Sequence, residues 1–192
     1  MLSYLRMRFN INICIIPECY IDTNLIETIV PPDRIGNTCG YNHQLGCNKV
    51  VDEMLGKLKD DFAVGILDND KRKLSRTSEF SLLTEKQQLK SYKHPQKNHY
   101  LIFHPPIEQW IIDVANGVSI FLDAPEYNLP TTLKELRYET KVNVKSKNDH
   151  RFKRLFRDLQ KHNALGINLL ANWTRYLKEH PYNADKHELI NL

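Results

Sequence analysis

Residues 62–67, Phe-Ala-Val-Gly-Ile-Leu, form an unbroken apolar or small run that stops at Asp68-Asn69-Asp70. A strand with one wet face alternates polar and apolar residues. A run without alternation fits a strand buried on both faces, as in a parallel sheet covered by helices. This stretch constrains the fold more than any other, because it calls for flanking helices and parallel neighbours.

The rest of the chain supplies both. Residues 9–16, FNINICII, read as a first strand, closed by Pro17 and Glu18. Residues 22–30 place Leu25, Ile26 and Ile29 on one helical face and stop at Pro31-Pro32. A loop with Gly36, Gly40 and Gly46 has room for one short strand, and Asn48 is then placed to cap a helix over 49–61. After the 62–70 strand, the polar stretch SEFSLLTEKQQLKSY (78–92) reads as helical, HYLIFH (99–104) as a strand and IEQWIIDVAN as a helix entered after Pro105-Pro106. The order β-α-(β)-α-β-α-β-α predicts an α/β fold with a mostly parallel, Rossmann-like sheet flanked by helices, over residues 9–127. Residues 128–192 read as a helical C-terminal extension packing on it, with helices over 130–142, 149–163 and 164–180.

At 192 residues, with 41% hydrophobic and 26% charged side chains, the composition is that of an ordinary globular domain. Four cysteines do not make a disulfide scaffold; Cys14 sits in an apolar run, and Cys39, His43 and Cys47 lack the CxxC knuckle of a structural zinc site. The N-terminal apolar run, broken by Asn10, Asn12 and Pro17, is too short for a signal peptide or membrane span, so a cytoplasmic protein is expected, with Met1 or Met7 as its start. The net charge of +4 permits a polyanionic partner without demanding one. The charge is concentrated: eight Lys or Arg lie between Lys141 and Lys161 against Asp149 and Asp158. On the 150–162 helix, Arg151 and Arg154 accompany a Phe152/Leu155/Phe156/Leu159 stripe, so that face is either a phosphate-binding surface or a solvated one.

In α/β sheets, functional groups gather beyond the carboxyl ends of the parallel strands. Glu18, Asp68, Asp70 and Glu108 all fall there. Adjacent carboxylates repel unless a cation neutralises them, and a hard divalent ion prefers such oxygens. An Asp-x-Asp also closes a strand as an ordinary turn. Asp22 reads either as a further ligand or, preferably, as a helix N-cap, and Glu108 either as a third acidic ligand or as a first-turn carboxylate placed for the dipole. Gly46 and Lys49, where a turn meets a helix N-terminus, could receive phosphate oxygens. Lys71 and Arg72 could contact a phosphodiester or pair with the nearby aspartates. His94, His99 and His104 lack a companion set and read as structural; Trp110 and Trp173 read as core.

The arrangement PECYID (17–22), then LGCNKV (45–50) opening a helix, then VGILDND (64–70) resembles the Toprim domain, the catalytic domain of topoisomerases and bacterial primases, also found in OLD-family nucleases. The segment FHPPIEQWIID (103–113) is similar to one in stand-alone Toprim-related proteins of bacterial defence systems. The resemblance spans roughly residues 9–114. It implies that Glu18 acts in proton transfer, and that Asp68 and Asp70, with Glu108, bind Mg²⁺ or Mn²⁺. The implied activity is metal-dependent nucleic-acid phosphodiester cleavage (DNA or RNA), in phage defence or nucleic-acid processing. The family places Gly after the catalytic Glu, where this chain has Cys19. That departure opens the alternative of a non-catalytic subunit docked on a partner such as a defence-system ATPase, and a homo-oligomer is a further option. A HAD-type phosphatase also ends a strand with Asp-x-Asp, but wants Thr or Val where Arg72 stands.

Overall fold

The computed structural model describes residues 10–34, 40–69, 77–140 and 144–192. The chain forms strands β1 (Ile15–Pro17), β2 (Ala63–Asp68), β3 (Ser81–Lys86), β4 (Leu89–Lys93) and β5 (His99–His104). They make one five-stranded sheet in the order β1-β2-β5-β4-β3. β1, β2 and β5 run parallel, whereas β4 and β3 continue the sheet antiparallel. The fold is therefore α/β with a mixed sheet flanked by helices, half parallel rather than mostly so.

The parallel half follows from its residues. β2 and β5 are apolar and buried along nearly their whole length, which only helical cover permits. Helix α2 (Cys47–Leu55) supplies part of that cover. It lies so close that a Cβ on Gly65 would come within 2.8 Å of both Val50 Cγ1 and Leu101 Cδ2. Helix α1 (Tyr20–Ile29) follows β1, and α3 (Ile107–Gly117) follows β5.

Several expected boundaries shift, each for a local reason. The first strand is shortened because Asn10 accepts the Asn12 amide and holds Ile11–Cys14 as a 3-10 turn, while the Asn12 side chain bonds both backbone groups of Asp33. The loop strand does not form among the described residues. Instead the amides of Asn42, Gln44 and Gly46 donate to the carbonyls of Ile15, Pro17 and Glu18 along one edge of β1. Helix α2 is capped by Gly46 rather than Asn48, and it ends at Leu55 rather than near residue 61.

The stretch 78–92, expected to be helical, is the β3–β4 hairpin. Lys86 pairs with Leu89 across a two-residue turn whose Gln87 and Gln88 both adopt positive φ (49° and 65°). That geometry matches strand twist. Pairing of β4 with β5 then outweighs the helix propensity of a Glu-, Lys- and Gln-rich segment.

The C-terminal third contains α4 (Leu133–Thr140), α5 (Val144–Asn148), α6 (His150–Lys161), α7 (Leu165–Glu179) and α8 (Lys186–Asn191). Phe152, Leu155, Phe156 and Leu159 of α6 and Trp173 of α7 join the same continuous core as the sheet residues. Buried Asn24 of α1 donates to the carbonyls of Ser146 and Asp149, tying α1 to the α5–α6 turn. Among the described residues, no helix is long and apolar enough to cross a membrane.

Candidate metal centre

Parallel pairing puts the carboxyl ends of β1, β2 and β5 side by side. Ile66 registers with Pro17, and Asp68 with His104. Three residues past β1, α1 begins and carries Asp22 in its first turn. Asp22, Asp68 and His104 thereby converge, with one ligand-type atom from each lying within 4.8 Å of the others.

The environment of this trio is unusual for charged groups. Asp22 and His104 are fully buried, and Asp68 keeps about a quarter of its side chain exposed (26%). Neither carboxylate oxygen of Asp22 has a partner of good hydrogen-bond geometry, although the Cys19 thiol lies against the group. Burial pushes the Asp22 carboxyl well above the usual range, and the Asp68 carboxylate pushes it further. The adjacent Cys19 thiol acts in the opposite direction, and Glu18 and Glu108 add to the rise. An isolated buried carboxylate costs several kcal/mol unless it is paired, protonated or bound to a metal.

The orientation of His104 favours the last of these. Its Nδ1 lies 2.8 Å from the Pro105 carbonyl, an acceptor only, so this nitrogen carries the hydrogen. Burial lowers the pKa of the ring and keeps it neutral. The lone pair is therefore on Nε2, which has no partner and faces Asp22 Oδ1 at 3.5 Å. That distance is too long for a charge-assisted hydrogen bond, which runs at about 2.7–2.9 Å. It is close to the ligand–ligand edge of about 3.4 Å around a four-coordinate ion with 2.1 Å bonds. A metal-binding imidazole ordinarily fixes its second nitrogen on a backbone carbonyl, as here. The ring is further held by Trp110, stacked on it at 5.5 Å and 16°.

The other acidic residues surround the trio without joining it. Glu18 is anchored at the end of β1: its Oε2 accepts the Asp68 amide at 3.0 Å and the Cys47 thiol at 2.8 Å. Oε1 takes part in neither bond. Glu108 stands in the first turn of α3 and accepts the Thr140 hydroxyl at 2.5 Å. Lys49 is exposed in the first turn of α2, beside Gly46, whose φ is +97°. Asp70, Lys71 and Arg72 lie outside the described residues.

One expectation is corrected and another is extended. Asp22 is not the N-cap of α1; Cys19 is, with its Sγ accepting the Asp22 amide at 3.5 Å, and this frees the Asp22 carboxylate to point inward. His104, expected to be structural, is buried as expected and also stands among the three residues that could hold a metal ion. A histidine ending an apolar strand gives no sequence signal of its own; the available cue was its position one strand from Asp68 at the same edge. The two arginines singled out on α6 also differ. Arg151 is held by Asp149 and Glu139 at 2.8 and 2.7 Å, whereas Arg154 is exposed and donates to the Glu126 carbonyl.

No protein-family model, curated protein or solved structure matches the chain. Its function has to be argued from these residues.

Proposed function

We propose that the strand-end cluster is a divalent-metal centre and that the protein is a metal-dependent phosphodiesterase acting on nucleic acid, on a sheet of Toprim-like character. The observation carrying this reading is the buried Asp22 carboxyl group facing the unpartnered His104 Nε2 across 3.5 Å. Asp22, Asp68 and His104 are the ligands. One imidazole among oxygens moves the preference from Mg²⁺ toward Mn²⁺ or Zn²⁺. A bound ion would supply charge neutralisation to phosphoryl oxygens.

The chain's own groups do the rest. Asp68, the one ligand reached by solvent, marks the side from which a phosphodiester approaches. Glu18 is locked in place through Oε2 and keeps Oε1 to accept a proton from an attacking water. Glu108 adds negative field at Asp22, which strengthens the hold on a cation. The near-complete burial of two ligands also favours a second reading, a structural ion in a non-catalytic subunit.

Plasmid, linear DNA and tRNA incubated with MnCl₂ separate the readings. Cleavage is expected from the wild-type protein and lost from His104→Ala and Glu18→Gln. Equal cleavage by all three proteins would discard the site, and metal binding without any cleavage would leave the structural ion.

A further inference from the structure

The basic residues of the C-terminal helices are not equally committed. Arg151 is tied to Asp149 and Glu139. Helix α6 buries Phe152, Leu155, Phe156 and Leu159, and on its other faces carries Lys153, Arg154, Arg157 and Lys161. Among the described residues, none of these four forms an ion pair; Arg154 uses one nitrogen on the Glu126 carbonyl.

Helix α4 packs on α3 and is tied to α6 by the Arg151–Glu139 pair at 2.7 Å. Leu136 and Thr140 face inward, while Lys134, Arg137 and Tyr138 are exposed, Tyr138 at 85%. An open groove of about 840 Å³ runs along this helix, walled by Pro130, Leu133 and Tyr138. Of the two carboxylates in the groove, Glu139 is paired with Arg151, which it shares with Asp149, and Glu135 accepts the Thr132 hydroxyl at 2.6 Å. Lys134 and Arg137 have no such partner among the described residues. At its C-terminal end α4 reaches Glu108, a neighbour of the candidate metal centre, through the bond from Thr140.

We infer that α4 and α6 form one track for single-stranded nucleic acid, with Tyr138 stacking on an unpaired base and the flanking cations meeting phosphates. Unpaired cations along both helices are complementary to a polyphosphate backbone. An aromatic ring exposed in the groove wall adds a platform that only a base with a free π-face can use, which selects the single strand over the duplex. Delivery of the strand for cleavage rests on the metal-centre reading; binding of the strand does not.

The test is fluorescence anisotropy with labelled oligo-dT and oligo-U of about 15 nucleotides, in EDTA at about 50 mM salt. A duplex of the same length and anionic vesicles serve as further probes. Both single strands are expected to bind more tightly than the duplex, and the ratio between them reports any DNA or RNA preference. Tyr138→Ala should weaken binding at least about fivefold, while Tyr138→Phe retains it. Replacing Lys134 and Arg137 together by Ala should lower the slope of log K against log salt by about 1.4. These positions are exposed, so the variants should fold. Absence of oligonucleotide binding, wild-type affinity and slope in the variants, tighter duplex binding, or vesicle binding in place of oligonucleotide binding would each overturn the track. Strand binding in a protein that binds no Mn²⁺ would leave the track standing and remove the metal centre.

Discussion

Strand β5 carries a histidine at each end, and the two make an instructive pair. His99 and His104 are both fully buried, and burial lowers the pKa of each. Each ring uses one nitrogen on a backbone carbonyl, His99 on Leu58 at 2.9 Å and His104 on Pro105 at 2.8 Å. The difference lies in what faces the rest of the ring. His99 has His94 at 6.2 Å between ring centres, and no carboxylate side chain contributes to its shift. His104 has Asp22 against Nε2 at 3.5 Å, and Asp68 beside the Nδ1 that also meets Pro105, at 3.3 Å. Residue type, strand and burial are shared, so none of them makes a site. The carboxyl ends of the neighbouring parallel strands do, because they bring acids to one edge and not to the other.

The largest effect that could break this comparison is metal-dependent stabilisation. At about a hundredfold excess over Kd, a bound ion stabilises by about 2.7 kcal/mol, or about 5–10 °C in Tm for a chain of this size. His104→Ala should abolish that rise in a melting scan with MnCl₂, and His99→Ala should retain it. If both variants lose it, the two ends are not distinct.

A smaller effect sharpens the contrast in the other direction. His99→Ala removes one of two donors to the Leu58 carbonyl, which keeps the Asp61 amide, and opens a cavity in the core; together these should cost about 1–3 kcal/mol in urea unfolding. Mn²⁺ affinity measured by calorimetry should be unchanged. A tenfold loss of affinity would tie the amino end of the strand to the site.

The smallest effect concerns Asp22 without metal. Its folded-state pKa is raised above the unfolded value, so the native state holds a proton that the unfolded chain releases. Between those two pKa values, apo stability therefore falls as pH rises, and the contribution is gone above the folded pKa. Asp22→Asn should flatten this slope and raise neutral-pH apo stability by on the order of 1 kcal/mol, while eliminating Mn²⁺ binding. Urea midpoints across the acid-to-neutral range, with and without Mn²⁺, check the sign. An apo slope that rises with pH would mean Asp22 is ionised and compensated in the native state.

The parallel half of the sheet was legible because its strands are apolar without alternation; β5 spans His99–His104, as its residues indicate. The hairpin was not, since Gln87 and Gln88 adopt the left-handed turn without the Asn or Gly that signals one. The site divided along similar lines. Asp68 could be placed because it ends a buried strand. Asp22 looked like a cap because Asp is a common one, and a cysteine taking that role is a weak signal. His104 escaped because its significance lies in the Asp68–His104 register, which sequence spacing alone does not reveal.

That register also bears on how quickly an ion could come and go. Asp68 and His104 belong to neighbouring strands joined by a continuous hydrogen-bond ladder, and Asp22 is set in a helix whose first turn is buried behind them. The scaffold of two ligands cannot loosen without opening the central pair of strands, whose amides belong with the slowest-exchanging class in such a fold. Of the three side chains, Asp68 alone reaches solvent. Capture and release of an ion would then take place at the one carboxylate that solvent reaches, over a frame that stays shut.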